Sequence, residues 1–231
     1  MSRGAGEPER PIATDRLSGM TAVLSLVFDL DGTLYFDDRL GREITRTANR
    51  YIALLKGVDD RSAAELIRAT RTRLQAEQGL EATLSQACTE LGGDLRELHS
   101  FFNREIAPEP LLTRDERVVN LLEQLGRQFS LYIYTNNNRD LSARIMAAIG
   151  VSHLFRRVFT IEESWRPKPD RQMLKELLNE IGREPSECLF VGDRYDIDLR
   201  LPEEVGARAW PVSGIEDLMA LNTLLSEGNN D

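Results

Sequence analysis

Cysteine, histidine and long apolar runs are all scarce in this sequence of 231 residues. Its two cysteines, Cys88 and Cys188, lie far apart and lack the spacing of a metal site, so we interpret them as buried thiols. Such usage predicts a reducing, cytoplasmic location. No apolar run approaches the roughly 20 residues that span a bilayer. Residues 1–20 lack the apolar core of a signal peptide and are interpreted as a flexible tail.

Basic residues are also in the minority, with 29 Lys and Arg against 38 Asp and Glu, a net charge of −9. This balance disfavours nucleic acid and anionic membranes as partners. The hydrophobic share of 41% is that of a globular protein. The expected partner is a small molecule, and the expected assembly is a monomer or homodimer.

Five short apolar runs predict buried strands, and helical stripes separate most of them. The runs are continuous rather than alternating, which is typical of a parallel sheet covered on both faces. They cover residues 22–28, 130–135, 157–161, 188–191 and 207–212. The sequence TRDE (113–116) predicts a capping box, and Gly126, Gly150 and Gly182 are expected just after helix ends. Together these patterns predict a doubly wound, mainly parallel α/β sheet.

The segment between the first strand and residue 113 contains no good strand. Four helical stripes occur in it, and four short helices can bury such stripes against one another as a small bundle. We expect an α/β core formed by 21–35 and 113–231, with residues 36–112 as an inserted helical domain.

Ligands of open α/β sheets bind at the carboxyl ends of the strands, and here those ends carry acids, a hydroxyl and a lysine. The residues are Asp29, Asp31, Thr135, Asn136, Lys168, Asp193, Asp196 and Asp198. An aspartate can attack phosphorus, and a second carboxyl two residues later can exchange a proton with the leaving oxygen and then with water. Mg²⁺ prefers carboxylate oxygens together with substrate phosphate. Thr135 and Lys168 can hold non-bridging oxygens, and Gly32 allows a sharp turn beneath the phosphate.

Four motifs in this order resemble the haloacid dehalogenase superfamily of phosphohydrolases. They are VFDLDGTLY (27–35), YIYTNN (132–137), the lysine of KPD (168–170) and FVGDRYDID (190–198). The helical insertion resembles the C1-type cap of that superfamily, and its core is Rossmann-like. The resemblance implies an Asp29 nucleophile, an Asp31 general acid and base, and phosphate contacts from Thr135 and Lys168. It also implies Mg²⁺ on Asp29, Asp193, Asp198 and the backbone carbonyl of Asp31.

The expected function is a Mg²⁺-dependent phosphatase for a small phosphomonoester, similar to phosphoglycolate phosphatases or pyrimidine nucleotidases. A phosphomutase shares every motif, and a non-catalytic phosphate- or metal-binding protein is the alternative of another class. A dehalogenase shares the fold but needs no acid at the position of Asp31. Asn136 has either a site role or a place at the start of the next helix, and Asp196 has no assigned role.

Charged and aromatic residues outside the motifs receive blander interpretations. His99 and His153 are expected in packing or surface positions. The three arginines of the first inserted helix are interpreted as a solvated face; they are Arg42, Arg46 and Arg50. Tyr35, the last residue of the first motif, is expected to serve as a hinge or as a wall of the substrate pocket.

Overall fold

The fold is known from a computed structural model that describes residues 22–227. The predicted tail at residues 1–20 lies outside the described residues. Five parallel strands form one sheet in the order β3-β2-β1-β4-β5. The strands are β1 (Ser25–Phe28), β2 (Ser130–Tyr134), β3 (Arg157–Phe159), β4 (Cys188–Gly192) and β5 (Arg208–Pro211).

Helices cover both faces of this sheet, which confirms the predicted doubly wound α/β class. Alternate residues of β1 show why: Leu26 and Phe28 belong to one apolar cluster, whereas Val27 belongs to the other. The core helices are α5 (Glu116–Gly126), α6 (Arg139–Ile149), α7 (Arg171–Ile181), α8 (Arg200–Glu204) and α9 (Ile215–Glu227). Residues of α5, α6 and α9 belong to the first cluster, and residues of α7 and α8 belong to the second.

Four helices lie between β1 and α5, as the stripes predict. They are α1 (Asp38–Lys56), α2 (Asp60–Gln78), α3 (Leu84–Glu90) and α4 (Leu95–Glu105). Aspartate side chains cap three of their N-termini, and Thr83 begins α3 with a capping box. Buried apolar residues of these helices belong to the first core cluster, so the inserted helices α1–α4 share part of their core with the sheet.

Three local predictions require correction. The capping box at Thr113 is wrong, because Asp115 caps α5 by accepting a hydrogen bond from the backbone N of Arg117. Gly126 is the last residue of α5 rather than the residue after it, while Gly150 and Gly182 do end their helices in the left-handed conformation. The third strand stops at Phe159, since the chain turns into a short 3₁₀ helix at Ile161. Within residues 22–227, no helix combines the length and apolarity needed to cross a membrane.

Candidate active site

The site lies at the carboxyl edge of the three central strands. β1 is hydrogen-bonded to β2 on one side and to β4 on the other, so the residues that follow these strands meet. Asp29 continues β1 and donates its backbone N–H to the carbonyl oxygen of Val191 at 2.8 Å. Thr135 continues β2 in the same way, bonding to the carbonyl oxygen of Phe159 at 2.9 Å. The topology therefore gathers the predicted residues at one edge.

Lys168 is the buried centre of this edge. Its ammonium group donates to Oδ1 of Asp29 at 2.7 Å, to Oδ1 of Asp198 at 2.6 Å and to the carbonyl oxygen of Tyr134 at 2.8 Å. Only 1% of Lys168 is exposed. Burial alone would lower the pKa of this lysine, but the carboxylates of Asp198 and Asp29 outweigh burial and raise it. The lysine therefore stays charged and fixes two carboxylates.

Asp29 is buried, and its two carboxylate oxygens differ: Oδ1 accepts a short hydrogen bond from Lys168, whereas Oδ2 has only one weak contact. Its Oδ2 accepts a long hydrogen bond of 3.4 Å from the hydroxyl of Thr33. Burial raises the pKa of Asp29 to about 7, although the charge of Lys168 opposes this rise. Oδ2 is thus the oxygen that is available to a phosphorus atom or a cation.

Asp31 is held by two donors, one of which the sequence interpretation missed. The hydroxyl of Tyr35 donates to Oδ1, and Nδ2 of Asn137 donates to Oδ2 at 2.6 Å. Burial raises the pKa of Asp31, and both hydrogen bonds oppose the rise by favouring the charged form. Asp31 is therefore oriented and prepared to hold a proton. Asn137 stands in the quoted motif YIYTNN, but nothing in its spacing distinguishes it from Asn136.

Thr135 and Asn136 support the site through the backbone. The hydroxyl of Thr135 accepts a hydrogen bond of 3.1 Å from the N–H of Asn137, which positions the residue that holds Asp31. Oδ1 of Asn136 accepts a hydrogen bond of 2.7 Å from the N–H of Lys168. Asn136 does not begin the next helix, because Asn138 is the capping residue of α6. A direct contact of Thr135 with phosphate stays a prediction.

Three carboxylates could hold a divalent cation. One oxygen from each of Asp29, Asp193 and Asp198 lies within 4.8 Å of the others. Gly32 makes room for this group: its φ is +76°, and an added Cβ would lie 2.5 Å from Oδ2 of Asp193. A set of hard carboxylate oxygens beside a glycine turn fits Mg²⁺, which takes few protein ligands and keeps positions for water and phosphate.

Arg194 is a second residue that sequence reasoning missed. Its Nε lies 3.7 Å from Oδ1 of Asp193 and 4.0 Å from Oδ2 of Asp198. The backbone N of Arg194 also donates to Oδ2 of Asp198 at 3.1 Å. The guanidinium therefore balances part of the acidic charge of this cluster. Its position directly after Asp193 was the available signal.

A cavity of about 550 Å³ opens between this edge and the inserted helices α1–α4. Core residues line one side, including Asp31, Asn137 and Asp193, while α1, α3 and α4 line the other side. Tyr35 is also part of the wall, which agrees with one of its two expected roles.

The inserted helices also contact the core outside the cavity. Oδ2 of Asp196 accepts a hydrogen bond of 3.2 Å from the backbone N of Glu81, in the loop between α2 and α3. On α4, the guanidinium of Arg96 lies 4.6 Å from the ring centre of Trp165, and the His99 ring packs against the same indole. Trp165 has a φ of +54°, a left-handed conformation that is unfavourable for a bulky residue.

The arginines of α1 point to solvent, as the sequence interpretation expects. Each pairs with an acidic residue and remains more than half exposed. Exposed pairs of this kind contribute little to stability. The three pairs are Arg42 with Asp38, Arg46 with Glu43 and Arg50 with Glu105.

Comparison with known proteins gives consistent matches. Residues 25–206 match a family described as haloacid dehalogenase-like hydrolase. Pyrophosphatase PpaX of Bacillus velezensis is 30% identical over 146 residues, which cover 61% of this chain and 67% of that protein. The glyceraldehyde 3-phosphate phosphatase of Methanopyrus kandleri is 26% identical over 203 residues, covering 80% of this chain and 81% of that protein.

The aligned segments span 67% and 64% of the lengths of two such pyrophosphatases, so whole-protein activities do not transfer directly. A solved HAD phosphatase from Thermococcus onnurineus has a TM-score of 0.58 at 19% identity, covering 88% of this chain and 98% of that one. At this identity the likeness supports the fold.

Proposed function

Because this chain belongs to the haloacid dehalogenase-like hydrolase family, we propose that it is a Mg²⁺-dependent phosphatase that acts through an aspartyl-phosphate. The observation that supports this proposal most directly is the pair of buried salt bridges from Lys168 to Asp29 and Asp198. Asp31 lies nearby and is oriented by hydrogen bonds from Tyr35 and Asn137. The sequence analysis predicted a hydrolase of the haloacid dehalogenase superfamily, and the family match confirms that family. Substrates of the phosphoglycolate or nucleoside monophosphate class are proposed.

In the first step, Oδ2 of Asp29 attacks the phosphorus of the substrate. The bond from phosphorus to the leaving oxygen breaks, and Asp31 gives that oxygen its proton. In the second step, Asp31 takes a proton from water as the water oxygen attacks phosphorus. The bond between Asp29 and phosphorus then breaks, and inorganic phosphate leaves. Asn137 and Tyr35 keep Asp31 oriented in both steps.

Asp29, Asp193 and Asp198 would hold the Mg²⁺ ion, with the backbone carbonyl of Asp31 as a further ligand. The ion supplies positive charge that offsets the repulsion between a carboxylate and a phosphate. Lys168 adds a second positive charge, 2.7 Å from Oδ1 of Asp29. We further propose that the inserted helices act as a cap that excludes bulk water from the aspartyl-phosphate.

The partner in this proposal is a small phosphorylated metabolite, which the phosphatase names of the relatives support. A cytoplasmic location, a monomer or homodimer, and the absence of nucleic-acid and membrane partners stay predictions. The same holds for the division into a core of 21–35 and 113–231 and a cap of 36–112.

The test is phosphate release from p-nitrophenyl phosphate and a panel of phosphomonoesters, with Mg²⁺ and with EDTA. We expect turnover with Mg²⁺ that is lost in Asp29→Asn, because the amide is a poor nucleophile. Asp60→Asn, at the exposed start of α2, is the matched control. An active, folded Asp29→Asn protein would contradict the nucleophile. Phosphoryl transfer to a second hydroxyl would favour the mutase, and Mg²⁺ binding without turnover would favour the binding protein.

The substitution Asp31→Asn tests the role of Asp31 separately from that of Asp29. The amide cannot transfer a proton, so we expect turnover to fall by about 10²–10⁴-fold, the usual range of general acid–base catalysis. The loss should be smaller for p-nitrophenyl phosphate, whose leaving group needs little protonation. Measurement of kcat for this ester and an alkyl ester checks the prediction, and equal, small losses for both would remove the role of Asp31.

A further inference from the structure

The wall that the inserted helices give to the cavity is mostly uncharged. Apolar side chains alternate there with hydroxyl groups and one histidine. The uncharged residues are Gly41, Ile44 and Thr45 of α1, Thr83, Leu84 and Ser85 around the start of α3, and His99 and Phe102 of α4, and the charged ones are Asp38 of α1 and Arg71 of α2. Because the phosphate belongs beside Asp29, this wall faces the part of the substrate that leaves.

The charges around the cavity do not favour a second anion. Four lining carboxylates face two lining guanidinium groups, and both guanidinium groups are engaged. Arg71 donates to the carbonyl oxygen of Ala82 at 2.8 Å and to Oε1 of Glu81 at 3.2 Å. Arg194 lies among the metal-site carboxylates. A carboxylate on the leaving group would therefore meet guanidinium groups whose charge is already offset by neighbouring carboxylates.

His99 lines the same wall and contains an unsatisfied polar atom. The residue is 2% exposed, and its Nε2 is buried without a hydrogen-bond partner in the described part of the chain. Its Nδ1 lies 3.4 Å from Nδ2 of Asn138, and its ring packs against Phe102 and Trp165, so the imidazole has a fixed orientation. A buried polar atom without a partner costs free energy, and a ligand hydroxyl could remove that cost.

Burial also lowers the pKa of His99 to about 4, so the ring is neutral near pH 7. A neutral imidazole nitrogen pairs well with a hydroxyl and offers no charge to a carboxylate.

We propose that the leaving group is an uncharged carbon skeleton bearing hydroxyl groups, and that His99 is a specificity-determining residue that hydrogen-bonds one of them. Ser85 and Thr45 supply further hydroxyls, and Phe102 and Leu84 contact the skeleton. This inference rests on the proposed phosphatase function. It narrows the substrate to polyol, sugar or nucleoside esters and disfavours phosphoglycolate.

The test compares kcat/KM for three esters of similar size: glycerol 3-phosphate, propyl phosphate and 3-phosphoglycerate. The wild-type protein should prefer glycerol 3-phosphate over each of the other two by about tenfold or more, since a buried polar group left unpaired and a carboxylate left without a counter-charge each weaken binding. A preference for 3-phosphoglycerate would overturn the proposal.

The substitution His99→Phe keeps an aromatic ring at this position and removes both ring nitrogens. The ratio of glycerol 3-phosphate to propyl phosphate in kcat/KM should fall by about tenfold, chiefly through KM, because the lost contact is a binding contact. His99→Gln, which retains a donor and an acceptor, should recover part of the ratio. His153→Phe, at an exposed position, is the matched control. An unchanged ratio in a folded His99→Phe protein would overturn the role of His99.

Binding measurements separate this inference from the proposed function. Calorimetry on Asp29→Asn protein with Mg²⁺ gives dissociation constants for the same three esters without turnover. If wild-type protein fails to hydrolyse p-nitrophenyl phosphate while the binding preference holds, the catalytic proposal fails and this one stands. If the ester binding shows no preference for hydroxyl groups, this inference fails whatever the turnover.

Discussion

Two buried polar side chains near the cavity meet the cost of burial in opposite ways. Lys168 has three acceptors within 2.8 Å, so its charge is fully compensated. His99 instead stays neutral and leaves one ring nitrogen without a partner. The contacts of Lys168 fix the acidic cluster, whereas the unpaired nitrogen of His99 is left for the proposed substrate hydroxyl.

The histidine predicts a pH-dependent stability. Its pKa is about 4 in the folded protein against an ordinary 6.5, so the unfolded chain binds a proton first as the pH falls. The free energy of unfolding should therefore drop by about 2 kcal/mol between pH 7 and pH 5 on account of this residue. Urea unfolding at both pH values should show that His99→Phe loses this part of the slope and that His153→Phe keeps it. An identical slope in all three proteins would contradict the buried neutral histidine.

At the scale of elements, the loop between α2 and α3 connects the inserted helices to the segment that follows β4. Gly79 ends α2 in the left-handed conformation, and Arg71 holds the loop from within through the carbonyl oxygen of Ala82. The N–H of Glu81 then donates to Asp196, two residues before Asp198. Asp196, which has no role in the motif pattern, thus joins two elements that are 115 residues apart.

Asp196→Ala should weaken the seating of this loop over the cavity. Loss of one hydrogen bond of about 1 kcal/mol corresponds to a roughly fivefold change. We expect kcat/KM to fall by that factor and amide exchange at Glu81 to accelerate, with little change in the free energy of unfolding. Asp196→Asn retains an acceptor and is the matched control. Unchanged exchange at Glu81 in the alanine variant would show that Asp196 does not hold the loop.

At the scale of the whole molecule, the parallel sheet brings together acids that are distant in sequence. Asp29 follows the central strand, and Asp193 and Asp198 follow the neighbouring strand β4. The three carboxylates meet only when the sheet is formed, so a cation that needs all three binds the folded state.

Mg²⁺ should therefore raise the Tm. At 100 times its dissociation constant, an ion that binds only the folded state adds about 2.7 kcal/mol. For a chain of this size this corresponds to about 5–10 °C. Scanning calorimetry with Mg²⁺ and with EDTA measures the shift, which Asp193→Asn should reduce strongly and Asp60→Asn should preserve. A full shift in Asp193→Asn would place the ion elsewhere.

The sequence by itself determined the order of strands and helices along the chain, because apolar periodicity and capping residues act over a few neighbouring positions. It also located Asp29, Asp31, Lys168 and Asp193, since parallel strands present their carboxyl ends at one edge. Helix ends were less well determined: Thr113 and Asp115 compete for the N-terminus of α5, and Gly126 and Arg127 compete for its C-terminus.

Only the tertiary structure decided which side chains support the motifs. Asn137 reaches Asp31 across 106 residues of sequence, and Asp196 reaches Glu81 across 115. His99 lines the cavity because α4 packs on Trp165, a contact for which its own neighbours in sequence carry no signal. Such contacts depend on how inserted helices seat on a sheet, and that seating is a sum of packing terms from residues far apart in the chain.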